Sequence, residues 1–309
     1  MEIAYVVQAH PDAELIKSVP WNYFAKELAG HDVFVSRFNS LDEAWRPFDA
    51  MILVVWLDWQ HRGFFKVEQI LPVMDKYSIY RATFPDTIQI VVNHVDMARR
   101  ASAMPYWRLG DPILFKTPAY DRSELAPFPA HDIFPYEVVC GSACFRDLPC
   151  RYAAGFIGSP SGPKGYRERV ARETAKVGLG RCLTKRIRKS KYDDLMSRCR
   201  IIVCPQGWGE QSYRHWDTWK SGKPMLTDAA CDSVEMIPGI RLQRGVHYLV
   251  YDDPAEIPDI VSDWTRRGRR DDLEQIARNG QQAALSYDGC AWMVKFFERL
   301  KCLPSRGAR

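Results

Sequence analysis

Ile201-Ile202-Val203-Cys204 runs into Pro205-Gln206-Gly207-Trp208-Gly209-Glu210-Gln211-Ser212-Tyr213-Arg214-His215-Trp216-Asp217-Thr218-Trp219-Lys220-Ser221-Gly222-Lys223-Pro224-Met225-Leu226, and the fold turns on this stretch. An apolar, β-branched run ends in Gly207-Trp208-Gly209. A polar and aromatic segment of helical length follows, Gly222 stops it, and Pro224 leads into a second apolar run. The order reads strand, loop, helix, strand: one βαβ unit whose glycine loop sits at a helix N-terminus. The unpaired amides and the positive dipole end at such a terminus bind phosphate or pyrophosphate. Ser212, Arg214 and Asp217 add a hydroxyl, a cation and a carboxylate around it. The spacing predicts that a phosphorylated compound docks here.

Working outward, similar apolar runs recur. Glu2–Gln8, Val33–Phe38, Met51–Leu57 and Ile88–Asn93 read as buried strands separated by helix-length segments, with Trp21–Ala29 the first helix. Ile113–Lys116 and Glu137–Cys140 read as edge strands. This alternation predicts a parallel sheet with crossover helices. The proline- and aromatic-rich Thr117–Pro135 reads as a loop or interdomain stretch. The pattern restarts with Tyr152–Gly158 as a strand and Tyr166–Val177 as a helix. Tyr192–Arg198 (helix), Ile201–Cys204, Ser212–Ser221 (helix), Pro224–Thr227 and Val246–Tyr251 follow, then helices over Pro254–Arg266, Asp272–Ala283 and Ala291–Leu300. Two α/β halves, 1–150 and 151–309, are expected to face one another across a cleft. Ligands of open parallel sheets bind beyond the carboxyl ends of the strands. His10, Asp12, Asp58, His94 and Asp96 fall at such ends in the first half; Gly158–Ser161 and Gln206–Ser212 fall there in the second.

With 309 residues, 46% hydrophobic and 26% charged, the chain has a globular composition. No apolar run approaches the roughly 18 residues of a membrane span, and the N-terminus lacks a basic leader and cleavage site. Nine cysteines lie without a paired pattern or zinc-ribbon spacing. An odd count fits reduced thiols, so the expectation is a soluble, cytoplasmic protein without a structural metal. Asp252-Asp253 lacks the spaced partner of a metal-binding Asp-x-Asp site. The net charge of +5 is uneven: Lys164 to Arg200 holds thirteen Lys/Arg against four Asp/Glu, which leaves the rest of the chain acidic. A solvated helix face, a cleft wall for an acidic substrate and a nucleic-acid surface are the three readings open for this stretch.

Cys204-Pro205-Gln206-Gly207, then Ser212-Tyr213-Arg214, Asp217 and Ser221-Gly222-Lys223-Pro224 together resemble the signature of exostosin-like and CgeB-like glycosyltransferases. Phe156-Ile157-Gly158, the helix over Lys191–Cys199, Gly245-Val246-His247-Tyr248 and Tyr251-Asp252-Asp253-Pro254 resemble further segments of that family, so the likeness spans about residues 153 to 290. It implies the GT-B fold, two facing Rossmann-like domains with a nucleotide-sugar donor in the C-terminal one and the acceptor mainly in the N-terminal one. It also implies catalysis without a metal or other cofactor. Gly158, Gly207, Trp208, Gly209, Ser212, Tyr213, Arg214, Asp217 and His247 would then line the donor site. Ser212 and Arg214 would contact the phosphates, and Asp217 would accept from the ribose hydroxyls. Asp217 stands where the family has Glu, and Gln206 where it has Arg or Gly; Arg214, Lys220 or a member of the basic stretch would replace the missing cation. Trp208 is placed to stack on a base or sugar, and His215 reads as a helix residue facing its neighbours.

An inverting transfer needs a general base near the acceptor hydroxyl with a pKa close to working pH. His10, oriented by Asp12, is the first candidate; Asp58 and the pair His94/Asp96 are rivals. The sequence-level reading is a metal-independent, inverting transfer of a hexose or pentose from a nucleoside-diphosphate sugar to a glycan or other hydroxyl-bearing acceptor. The alternatives are a nucleic-acid-associated protein using residues 164–200, a transferase acting on modified nucleic acid, and an inactive nucleotide-sugar binder.

Overall fold

The uninterrupted apolar runs become parallel strands, because residues that are apolar on both faces need cover on both sides. The computed structural model describes residues 2–8, 34–38, 40–55, 67–94, 113–117, 131–133, 145–160, 165–185, 187–207, 212–232, 236–237 and 240–287. The chain divides into two compact units, Met1–Val139 with Asp288–Arg309, and Cys140–Tyr287.

The first unit carries β1 (Glu2–Gln8), β2 (Phe34–Phe38), β3 (Ala50–Val55), α1 (Val67–Thr83), β4 (Ile88–His94), β5 (Ile113–Thr117) and β6 (His131–Ile133). Its sheet has the order β2-β1-β3-β4-β5-β6, parallel at every pairing. Ile3, Ala4, Val6 and Ala50 to Leu53 are fully buried in it. On α1, Tyr80 packs beside Trp45 and donates its hydroxyl to the Arg46 carbonyl at 2.7 Å.

The second unit contains β7 (Tyr152–Gly158), α2 (Tyr166–Ala175), β8 (Leu179–Cys182), α3 (Lys189–Ser197), β9 (Cys199–Cys204), α4 (Tyr213–Lys220), β10 (Met225–Asp228), β11 (Leu249–Tyr251), α5 (Ile257–Trp264) and α6 (Arg270–Ser286). The sheet order is β11-β10-β9-β7-β8, again all parallel. Phe156, Ile201, Val203, Leu226 and Tyr251 on the sheet pack with Val170, Ile257, Val261, Leu273 and Ile276 of the helices. The chain leaves β7 toward β8 on one side and returns to β9 on the other. That reversal makes the carboxyl ends of β7 and β9 the switch point where a doubly wound sheet opens a crevice.

Most expected elements are present, and some readings need correction. A strand, β6, lies inside Thr117–Pro135, held by its register with Leu114 to Lys116. β8 has no counterpart among the expected strands and completes the edge of the second sheet. α3 starts at Lys189, three residues before the expected Tyr192. The expected strand over Val246–Tyr251 begins only at Leu249, because Gly245 at φ 70° turns the chain first. Trp21–Ala29, Glu137–Cys140 and Ala291–Leu300 lie outside the described residues.

Candidate functional site

The loop after β9 is fixed from below by three neighbours. Gln206 N–H donates to the Asp228 carboxylate at 2.6 Å, and the Tyr166 hydroxyl donates to the same oxygen at 2.9 Å. Arg167, from the first turn of α2, donates through Nε to the Gln206 carbonyl at 2.9 Å and through Nη2 to that of Pro205 at 3.4 Å. Gly207 follows, where a Cβ would sit 3.0 Å from Arg167 Nη2, so a side chain there would press on the guanidinium.

Arg214 enters from the first turn of α4. Its Nη2 donates to the Ile157 carbonyl at 2.6 Å, its Nε to the Tyr192 hydroxyl at 3.2 Å, and the guanidinium lies 4.7 Å from the centre of the Phe156 ring. Nη1 is buried with no partner among the described residues. An unsatisfied buried donor on a cation costs more than the ~1–3 kcal/mol of a neutral one. A Cβ on Gly158 would come within 3.1 Å of Arg214 Nη2 and 2.7 Å of the Phe156 ring, so β7 ends in glycine where the cation passes.

Two guanidiniums therefore share one corner at the carboxyl ends of β7 and β9. Burial, and next the field of Arg214, push the Arg167 pKa down to about 10. An anion placed there would relieve that mutual repulsion. The helix end adds to it: Ser212, in extended conformation, caps α4 and supplies a hydroxyl beside its first amides. Its own N–H donates to His215 Nδ1 at 3.0 Å. His215 is wholly buried and its Nε2 meets Thr227 Oγ1 at 3.2 Å, so the imidazole positions the helix. Burial first, then Arg214, pushes its pKa down to about 3, which keeps it neutral.

Asp217 lies in the second turn of α4, in the field of Lys189 and Asp193 of α3. Its carboxyl is held above the usual range by burial and meets no hydrogen-bond donor among the described residues. The structure thus brings Gly158, Gly207, Ser212, Arg214 and Asp217 to one region. Tyr213 opens α4. His247 is not among them. It precedes β11, at the amino side of the sheet, where its Nδ1 accepts from Gln243 N–H at 3.0 Å and its carbonyl abuts Gly280. His94 closes β4 in the other unit. His10, Asp12, Asp58, Asp96, Trp208 and Gly209 lie outside the described residues.

Arg167, Tyr166 and Asp228 were not singled out in the sequence. Asp228 ends a strand, and the rule that selected His10 and Asp58 selects it equally. Arg167 carried no mark separating it from the other cations of its stretch. Among the described residues no group of three or more His, Cys, Asp or Glu is placed to hold a metal ion, and no helix is long and apolar enough to cross a membrane.

No protein-family model and no curated protein matches the sequence. Solved structures do match across nearly the whole chain. Anabaena HepE (Alr3699) in complex with UDP and glucose aligns with a TM-score of 0.57 at 12% identity, covering 98% of this chain and 100% of that one. Sucrose-phosphate synthase from Thermosynechococcus elongatus aligns with a TM-score of 0.55 at 11% identity, covering 98% and 99%. An alpha-glucosyltransferase in complex with UDP and a 13-mer DNA containing a HMU base aligns with a TM-score of 0.54 at 10% identity, covering 97% and 99%. The fold is accordingly α/β with two Rossmann-like units, of the GT-B class.

Proposed function

We propose that the chain is a glycosyltransferase that moves a sugar from a nucleoside-diphosphate sugar to an acceptor hydroxyl. The observation that carries the reading is Arg214: a guanidinium whose buried Nη1 has no partner among the described residues, set between a capped helix N-terminus and a second buried arginine. That arrangement suits a diphosphate, whose charge grows as the glycosidic bond breaks. Donors already in place stabilise the departing group without reorganising. Asp217, without a hydrogen-bond donor among the described residues, is the carboxylate that would accept from a ribose diol. UDP in the HepE complex and in the alpha-glucosyltransferase complex makes a uridine donor the first candidate.

Three finer points belong to the same proposal. The chain is exostosin-like or CgeB-like, on the residues that carry that resemblance. Transfer is metal-independent and inverting, with His10 oriented by Asp12, or else Asp58, taking the acceptor proton. The setting is the cytoplasm, on the odd number of cysteines without a paired pattern in the sequence.

The test is thermal stabilisation by UDP, GDP, dTDP, CMP and ADP, each with and without EDTA, on wild type, Arg214→Ala and Asp217→Ala. A ligand at a hundred times its Kd adds about 2.7 kcal/mol of apparent stability. Stabilisation by one nucleotide in EDTA, lost in both variants, supports the donor site. No response to any nucleotide overturns the transferase reading, and binding without turnover of the matching nucleotide sugar leaves only a binder.

A further inference from the structure

Seven of the thirteen cations between Lys164 and Arg200 have a partner within the second unit, several of them at its surface. Arg167 holds the loop after β9, Arg169 pairs with Asp253, Arg172 and Lys176 with Glu173, Lys189 with Asp193, and Arg198 with Asp194. Arg200 donates to the Thr265 carbonyl. Four are different. Arg181, Lys185, Arg188 and Lys191 are exposed, and among the described residues they meet no carboxylate and make no side-chain hydrogen bond.

These four follow one course, from edge strand β8 through its connection into the first turn of α3. α3 has no acidic residue in its first turn and no side chain capping its N-terminus. Cations stacked at the positive end of a helix dipole are unfavourable by themselves. The course also adjoins the anion corner. Leu183 N–H donates to the Gly158 carbonyl at 2.8 Å, and the Tyr192 hydroxyl of α3 accepts from Arg214.

We infer that the Arg181–Lys191 rim docks the phosphate backbone of double-stranded nucleic acid, which carries the acceptor hydroxyl to the donor corner. The second clause rests on the transferase reading; the docking does not. Residues 181 to 191 contain no aromatic side chain. The rim therefore offers no stacking platform for the bases of a single strand and no apolar anchor of the Trp or Phe type for a membrane interface. What remains is four exposed cations along one stretch of chain, which can contact phosphates without reading sequence.

Binding of a short random-sequence duplex by the whole protein, measured by fluorescence anisotropy over a series of salt concentrations, tests it. Each phosphate neutralised contributes about −0.9 to the slope of log K against log salt, so four contacts give roughly −3.6. The variant Lys185→Gln/Arg188→Gln/Lys191→Gln is expected to lose about three units of that slope while UDP stabilisation stays unchanged. The charge-keeping variant Lys185→Arg/Arg188→Lys/Lys191→Arg should retain the slope. An unaltered slope in the Gln variant, absence of duplex binding at low salt, tighter binding of a single strand, or equal binding of heparin overturns the inference. Absence of stabilisation of wild type by every nucleotide of the panel overturns the donor reading alone, because duplex binding is measured without nucleotide.

Discussion

His215 Nε2 lies 3.2 Å from the hydroxyl of Thr227, which donates in turn to the Cys204 carbonyl at 2.8 Å, so one imidazole ties α4 to the ends of β9 and β10. Nδ1 accepts from Ser212 N–H, which fixes the proton on Nε2. The folded pKa is depressed from 6.5 to about 3, so the fold favours the neutral ring. Stability from this group is fully present above pH 6.5 and is lost as pH falls toward 3, because the unfolded chain takes up the proton first. The expected slope is about 1.4 kcal/mol per pH unit within that interval. Urea unfolding across the interval checks it: His215→Asn should be less stable at neutral pH and should lack this part of the slope.

Arg214→Lys is not a conservative change. A lysine has no planar fork to hold the Ile157 carbonyl, the Tyr192 hydroxyl and a phosphate together. UDP affinity, read by calorimetry, should fall by about 10- to 100-fold in Arg214→Lys and Arg214→Ala alike, the equivalent of ~1.5–3 kcal/mol for a hydrogen bond to a charged group.

Gly158→Ala should act at two places. The added methyl meets the Phe156 ring and the Arg214 guanidinium. Overpacking costs ~1–3 kcal/mol of stability, and displacement of Arg214 should also weaken UDP. A variant that loses stability but keeps full UDP affinity would show that Arg214 does not reach the nucleotide.

Asp228→Ala removes the acceptor of both Gln206 N–H and the Tyr166 hydroxyl. The Tyr166 hydroxyl still reaches the Tyr251 hydroxyl at 3.1 Å, so Gln206 N–H is the donor left unsatisfied, at an expected cost of ~1–3 kcal/mol. Asp228→Asn keeps an acceptor oxygen and should recover much of the loss in urea unfolding.

Where the sequence was readable, local chemistry and tertiary packing agree. Ile201–Cys204 is apolar enough to be buried on both faces. Gly222, at φ 61°, supplies the left-handed residue that ends α4, with Gly222 N–H donating to the Trp219 carbonyl at 2.9 Å. Ser212 and Arg214 follow from the helix start that the glycine loop announces. β8 escaped notice because Leu179–Cys182 is four residues long and includes Gly180 and Arg181; only its pairing with Gly155 to Gly158 makes it a strand. Arg167 escaped because its partners are carbonyls far along the chain, and no local pattern shows which face of α2 is covered. His247 looks like a ligand contact by its neighbours in sequence, yet it precedes the first residue of β11 and so lies at the sheet's amino side, while Tyr251 at the other end of that strand reaches Tyr166 beside the corner.

The strand order of the second unit has a consequence for how the protein is made. Both neighbours of β7, β8 and β9, follow it in the chain, so Tyr152–Gly158 emerges from the ribosome with nothing to pair against. At about 5–20 residues per second, several seconds pass before Cys199–Cys204 is available. For that time the strand that later carries the Arg214 anchor is an open, apolar edge, and chaperone capture or mispairing with a second nascent chain should be concentrated there.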